Sequence, residues 1–151
     1  MMQDTVRVTK KFTIDMAHAL YGYDGPCKNI HGHTYHLSVT VIGKVDQSND
    51  SPKQGMVVDF TDLKRIVNER VVDVFDHALV LNEHAPYTKN DLIRNEFEKV
   101  ILTDYQPSCE NLLLEFKNRI QGVLPANIAL FCIRLDETPS SYAEWVRTDN
   151  L

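Results

Sequence analysis

The chain has 151 residues, with 16 Lys and Arg against 21 Asp and Glu for a formal net charge of −5, and 43% of it is hydrophobic. That balance excludes a disordered tail and suits a single domain over residues 1–151, while net acidity argues against nucleic acid or a membrane as a partner held by bulk charge. Three Cys cannot all pair, and no leader-like or membrane-length apolar stretch is visible, so a cytoplasmic protein with reduced thiols is expected.

In chain order, Val6, Val8, Phe12 and Ile14 share one parity, interrupted by Lys10, and predict a long strand ending near His18. A loop with Gly22, Gly25 and Pro26 carries Cys27, and His31-Gly32-His33 then leads into a second strand marked by Tyr35, Leu37, Val39 and Val41. Four of the six His thus fall between positions 18 and 36. Two His at i and i+2 in extended chain point to one side, and hairpin pairing sets His18 opposite them. Three neutral imidazoles converging on one point, with a fourth position open, form the donor set of a catalytic zinc site, although iron, nickel or copper also accept imidazole. The HxH spacing alone is weak, two exposed loop histidines being the plain alternative; the third His and the nearby Cys strengthen the metal reading. His36 falls on the other parity and is left out. Cys27, beside Lys28 and near a divalent cation, is favoured as a thiolate able to act as base or nucleophile; a fourth metal ligand or an inert loop thiol are the alternatives.

Residues 46–55 read as a polar loop, and 61–75 as a helix with Thr61 as N-cap and Leu63, Ile66, Val67, Val71 and Val74 as its apolar stripe. Asp76-His77 follows. A carboxylate next to a His can set its tautomer for proton transfer, but neighbours on a regular element point apart, so spacing leaves their hydrogen bond open. His84 reads as a solvated loop residue. A second helix is expected from Ser108 to Gly122, buried through Leu112, Leu113, Phe116 and Ile120; Glu110 opens it, and the residues assign Cys109 no role. Asn127 to Leu135 is apolar on both parities and predicts a buried strand with Cys132 in the core. Glu137-Thr138 ends it, where a carboxylate can accept two parallel hydrogen bonds from a heterocycle. Tyr142 to Val146 is a final strand. The order β-β-α-α-β-β favours an α+β domain with antiparallel pairing and helices on one face.

Together, His18, CKNIHGHTY (27–35), VVDFTDLK (57–64), FDHALVLN (75–82), PSCEN (107–111) and DET (136–138) resemble the 6-pyruvoyl-tetrahydropterin synthase / 6-carboxytetrahydropterin synthase family along the whole chain. The specific element is a Cys ahead of HGH and an aromatic residue, with Asp-His and Glu-Thr downstream in that order. The resemblance implies a tunnelling fold (T-fold), a four-stranded antiparallel sheet with two helices. It further implies assembly into a homohexamer of two trimers around a β-barrel, with sites shared between subunits. It implies Zn2+ on His18, His31 and His33, Cys27 as the base, and Asp76 and His77 as a relay from a neighbouring subunit. Glu137 would anchor a pterin ring, with Ser108, Cys109 and Glu110 adding contacts. One departure is Ser-Cys-Glu-Asn at 108–111, where the family commonly has Thr-Ser-Glu-Asn. Three residues between Cys27 and His31 resemble the bacterial carboxy branch of queuosine biosynthesis. That branch implies 7,8-dihydroneopterin triphosphate as substrate and 6-carboxytetrahydropterin, acetaldehyde and triphosphate as products. The pyruvoyl branch and a non-catalytic, zinc-stabilised assembly module are the alternatives.

Overall fold

The computed structural model describes residues 3–151. The two long strands form where alternation predicts them, β1 over Thr5–Ala19 and β2 over His31–Lys44, paired antiparallel. One parity of this pair is the core face, carrying Ile14, Met16, Tyr35, Leu37, Val39 and Val41, all buried. Burial deepens along β1: Val6 is exposed, Phe12 half-buried and Ile14 buried. The well-covered end of the hairpin is therefore the end that carries the histidines.

The next helix, α1 over Phe60–Val67, starts before the expected Thr61 because Asp59 is the cap; its carboxylate accepts the Thr61 N–H at 2.9 Å. It widens into a π turn over Asn68–Val72 and closes with α2, Asp73–Phe75. The reason lies in the spacing of Leu63, Val67, Val71 and Phe75, all buried. Steps of four residues drift about 40° each on an α-helix, and a wider turn brings Val71 and Phe75 back to the core. Then come β3 (Ala78–Asn82), the short α3 (Asp91–Glu96), β4 (Val100–Thr103), α4 (Cys109–Gln121), β5 (Ile128–Thr138) and β6 (Ser141–Val146). Ser108 caps α4 as expected, accepting the Asn111 N–H at 3.3 Å.

Instead of four antiparallel strands, the sheet has six and is mixed, in the order β4-β3-β1-β2-β5-β6. The expected strands make its antiparallel part, whereas β3 runs parallel to β1 and β4 parallel to β3. These additions are only five and four residues long, too short for a periodic signal, and their partners are distant in sequence. The two longer helices and one face of the sheet share a single apolar cluster in which Phe75 and Phe116 pack edge to face at 4.9 Å. One expectation for β5 is corrected. A bulge opposite Thr40 and Val41 turns Phe131 and Cys132 away from the core, so Cys132 is half-exposed while Leu130 and Ile133 stay buried.

Candidate active site

The β1–β2 register brings His18 directly opposite His31, with His33 two residues further along the same face. One nitrogen from each ring lies within 4.8 Å of the others, so the three residues could hold a metal ion. Two backbone carbonyls set the tautomers. His18 Nδ1 donates to Pro107 O at 2.6 Å and His31 Nδ1 donates to Asn29 O at 2.7 Å, which leaves each Nε2 with a lone pair. These two Nε2 atoms face each other at 3.0 Å. Two lone pairs at that distance repel unless a proton or cation lies between them, and two nitrogens bound to one tetrahedral zinc would be roughly 3.3 Å apart. His33 Nε2 is buried with no hydrogen-bond partner. Burial lowers the His18 pKa, the Pro107 carbonyl opposes this, and neighbouring imidazoles add to it, so the ring is held in the neutral, ligating form. The donor set therefore fits a divalent cation.

Glu137 lies at the rim of this cluster, with Oε2 3.9 Å from His18 Nε2 and Oε1 3.9 Å from His33 Nε2. Between them stands Tyr35, to which the sequence assigns a strand position and a place in the family motif but no role at the site. Its ring is fully buried, and its hydroxyl lies 3.3 Å from Glu137 Oε2 and 3.4 Å from His18 Nε2. Burial, reinforced by the charges of Glu137, Cys109 and Cys27, raises its pKa well above the usual phenol range, so it remains a donor. The signal was present in the sequence, since Tyr35 is two residues beyond His33 on the same face.

Cys27 sits in the 3-10 turn Pro26–Lys28, a free and half-exposed thiol, and its loop is closed by a Leu20 N–H to Cys27 O bond of 2.9 Å. Of the helix-opening residues, Ser108 is half-buried and occupied as the cap, and Glu110 is exposed. Cys109 is buried and turns its thiol onto Leu135 O at 3.4 Å, and burial pushes its pKa up to about 12. Its side chain thus belongs to the core, and only its backbone is left to serve a ligand.

Asp76 and His77 do bond to each other, His77 Nδ1 to Asp76 Oδ2 at 2.8 Å. A left-handed backbone at His77, φ 63°, folds the ring back onto its neighbour, which no regular element allows. Asp15 docks the turn: its N–H donates to Asp76 Oδ1 at 2.9 Å and its carbonyl accepts the His77 N–H at 2.6 Å. Lys99 Nζ donates to the carbonyls of Asp73 at 2.9 Å and Asp76 at 2.5 Å. Partial burial opposes ionisation of Asp76, but the Asp15 N–H, the His77 bond and the His77 and Lys99 charges outweigh it and hold the carboxyl below its usual range. Within one chain, however, no hydrogen bond among the described residues joins this pair to the three histidines, and neither residue belongs to their ligand cluster. His77 borders a concavity of about 410 Å³ together with His33, and Asp15, Met16, Ala17, Gly32 and Thr34 also line it. Another concavity, of about 940 Å³, lies at the other end of the hairpin beside Lys44, Asn127 and Arg147, and contains none of these residues.

A family model described as 6-pyruvoyl tetrahydropterin synthase matches residues 7–148. The chain is 34% identical over 141 residues to the 6-carboxy-5,6,7,8-tetrahydropterin synthase of Haemophilus influenzae, covering 92% of this chain and 97% of that protein. It is 30% identical to the protein of the same name from Rickettsia bellii, covering 92% of this chain and 99% of the relative. Among solved structures, the Caenorhabditis elegans 6-pyruvoyl tetrahydropterin synthase aligns with a TM-score of 0.70 at 22% identity, over 97% of this chain and 99% of that one. An uncharacterized Wolinella succinogenes protein aligns at 0.79 with 16% identity, over 95% and 99%. The structural likenesses establish the fold. The chain belongs to the 6-pyruvoyl tetrahydropterin synthase family.

Proposed function

We propose that this member of the 6-pyruvoyl tetrahydropterin synthase family is a Zn2+-dependent lyase converting 7,8-dihydroneopterin triphosphate and one water to 6-carboxy-5,6,7,8-tetrahydropterin, acetaldehyde and triphosphate, a step of queuosine biosynthesis. The observation that carries it is the three-imidazole cluster, in which two Nε2 atoms face each other at 3.0 Å, with a carboxylate at its rim. The names of the carboxy relatives and the three-residue spacing from Cys27 to His31 favour this branch over the pyruvoyl one.

His18, His31 and His33 would hold the zinc, which when bound supplies Lewis-acid polarisation of the substrate's side-chain oxygens. Glu137 accepts paired hydrogen bonds from the amino group and ring N–H of the pterin, and the Ser108–Glu110 turn borders the ring. Cys27, as thiolate, removes a carbon-bound proton from the side chain and returns it elsewhere; triphosphate leaves by elimination and the side chain is cleaved in a retro-aldol-like step. Asp76 and His77 supply the second acid–base pair from a neighbouring subunit of a homohexamer. Their place outside the three-histidine ligand cluster within one chain supports sharing, as do the exposed Ile30 and Phe97 beside His77. A reducing cytoplasmic setting suits a reaction that needs a free thiolate, and no helix among the described residues is long and apolar enough to cross a membrane.

Zinc-loaded protein given 7,8-dihydroneopterin triphosphate should release acetaldehyde and triphosphate together. Triphosphate without acetaldehyde moves the reading to the pyruvoyl branch, and no turnover of the pterin overturns it. Chelation should stop turnover and leave the cooperative unfolding transition in place, because the apolar cluster spans both helices and the sheet without the three histidines. Unfolding on chelation would instead mark a structural metal.

A further inference from the structure

We propose that Tyr35 is a positioning residue that couples the three-histidine centre to Glu137: a cation on His18 frees the Tyr35 hydroxyl to hold the Glu137 carboxylate in place for the pterin ring. The inference rests on the functional reading above and adds a residue and a linkage to it.

A phenol has one proton to donate. Two acceptors compete for it here, His18 Nε2 at 3.4 Å and Glu137 Oε2 at 3.3 Å. Both are acceptors only. The Nδ1 proton of His18 is committed to Pro107 O, and an ionised carboxylate carries lone pairs alone. The hydroxyl has no escape to solvent, because Tyr35 is fully buried and its ring is wedged edge-on between His33, at 5.4 Å, and His18, at 6.2 Å. With neither a cation nor a proton between His18 and His31, the Tyr35 proton is divided between the imidazole and the carboxylate. A cation on the histidines engages the His18 lone pair, and Glu137 is left as the acceptor that the Tyr35 hydroxyl meets among the described residues. Each carboxylate oxygen has two lone pairs, so a Glu137 steadied by Tyr35 still offers both oxygens to the two parallel donors of a pterin edge. Glu137 is itself partly exposed, with 24% of its side-chain surface free, so without that bond its carboxylate is less restrained.

The test uses unsubstituted pterin, a fluorescent ring with no side chain to reach a metal, so that any zinc effect on its binding comes from the ring site. Zinc should tighten pterin binding to the wild-type protein by about tenfold, the scale of one hydrogen bond to a charged group. Tyr35→Phe, which keeps the ring and its packing, should retain zinc in wild-type stoichiometry but bind pterin equally weakly with and without it. Glu137→Gln should also abolish the zinc response, and adding Tyr35→Phe to it should have no further effect, since residues acting through one contact are not additive. A zinc response preserved in Tyr35→Phe overturns the coupling. If that variant does not fold, a zinc response preserved in Glu137→Gln overturns it equally. A wild-type protein that binds pterin with no zinc response overturns the inference and spares the functional reading; one that binds no pterin overturns both.

Discussion

Cys27→Ala should lower turnover by roughly a thousandfold, in the range that a positioned acid–base group contributes, while zinc content and fold stay as in the wild type. The fold should survive because Cys27 enters its loop through backbone: the Leu20 N–H bonds its carbonyl, and its half-exposed side chain lies outside the apolar cluster. The zinc should stay because His18 and His31 are oriented by the carbonyls of Pro107 and Asn29. No other thiol can take over. Cys109 is buried against Leu135 O with its pKa pushed up to about 12, and Cys132 lies on the opposite face of the sheet, where burial and then the Glu144 carboxylate also raise its pKa. Stopped-flow turnover with metal analysis on the same sample checks this, and unchanged turnover removes Cys27 from the mechanism.

The second large effect is expected of His77→Ala, a loss of roughly a hundredfold or more in turnover. The loss should be rescued in mixtures. When Cys27→Ala and His77→Ala chains are unfolded together and reassembled at equal ratio, a shared site draws its Cys from one chain and its His from another. About a quarter of the sites then carry both intact residues, so about a quarter of wild-type activity should return. If both residues of each site came from one chain, every site would keep one defect and no activity would return. Asp76 is part of the same unit. Its depressed pKa keeps the carboxylate ionised throughout the neutral range, and its protonated form appears only as the pH falls through that lowered value. Loss of activity between pH 6 and 5 would therefore not be assigned to Asp76, and Asp76→Asn, which removes the charge, should depress turnover at every pH measured.

Much of this was legible in the residues. Alternation in β1, broken only at Lys10, and in β2 carried the core face, and with it the convergence of His18, His31 and His33, because hairpin pairing and a two-residue period leave little freedom. Ser108 and Gly122 bounded α4 through ordinary capping chemistry. Other features were hidden. Asp59 displaced Thr61 as the cap, a choice between two adjacent oxygens that depends on backbone angles. The bulge at Phe131–Cys132 turned an apparently buried thiol outward, since a strand apolar on both parities does not say which side chains reach the core.

By itself the sequence determined which groups the proposed site draws on: three imidazoles at strand positions of one parity, a thiol in a turn, a carboxylate at a strand end and an Asp-His pair after a helix. Those are consequences of local period and residue chemistry. Only the tertiary structure decided how these groups act on one another. The Asp76–His77 bond needs a left-handed His77 held by Asp15 and Lys99, the tautomers of His18 and His31 are set by two loop carbonyls, and Tyr35 meets Glu137 across 102 residues of chain. Each of these depends on contacts between segments distant in the chain or on one unusual backbone angle, and neither leaves a periodic trace in the order of residues.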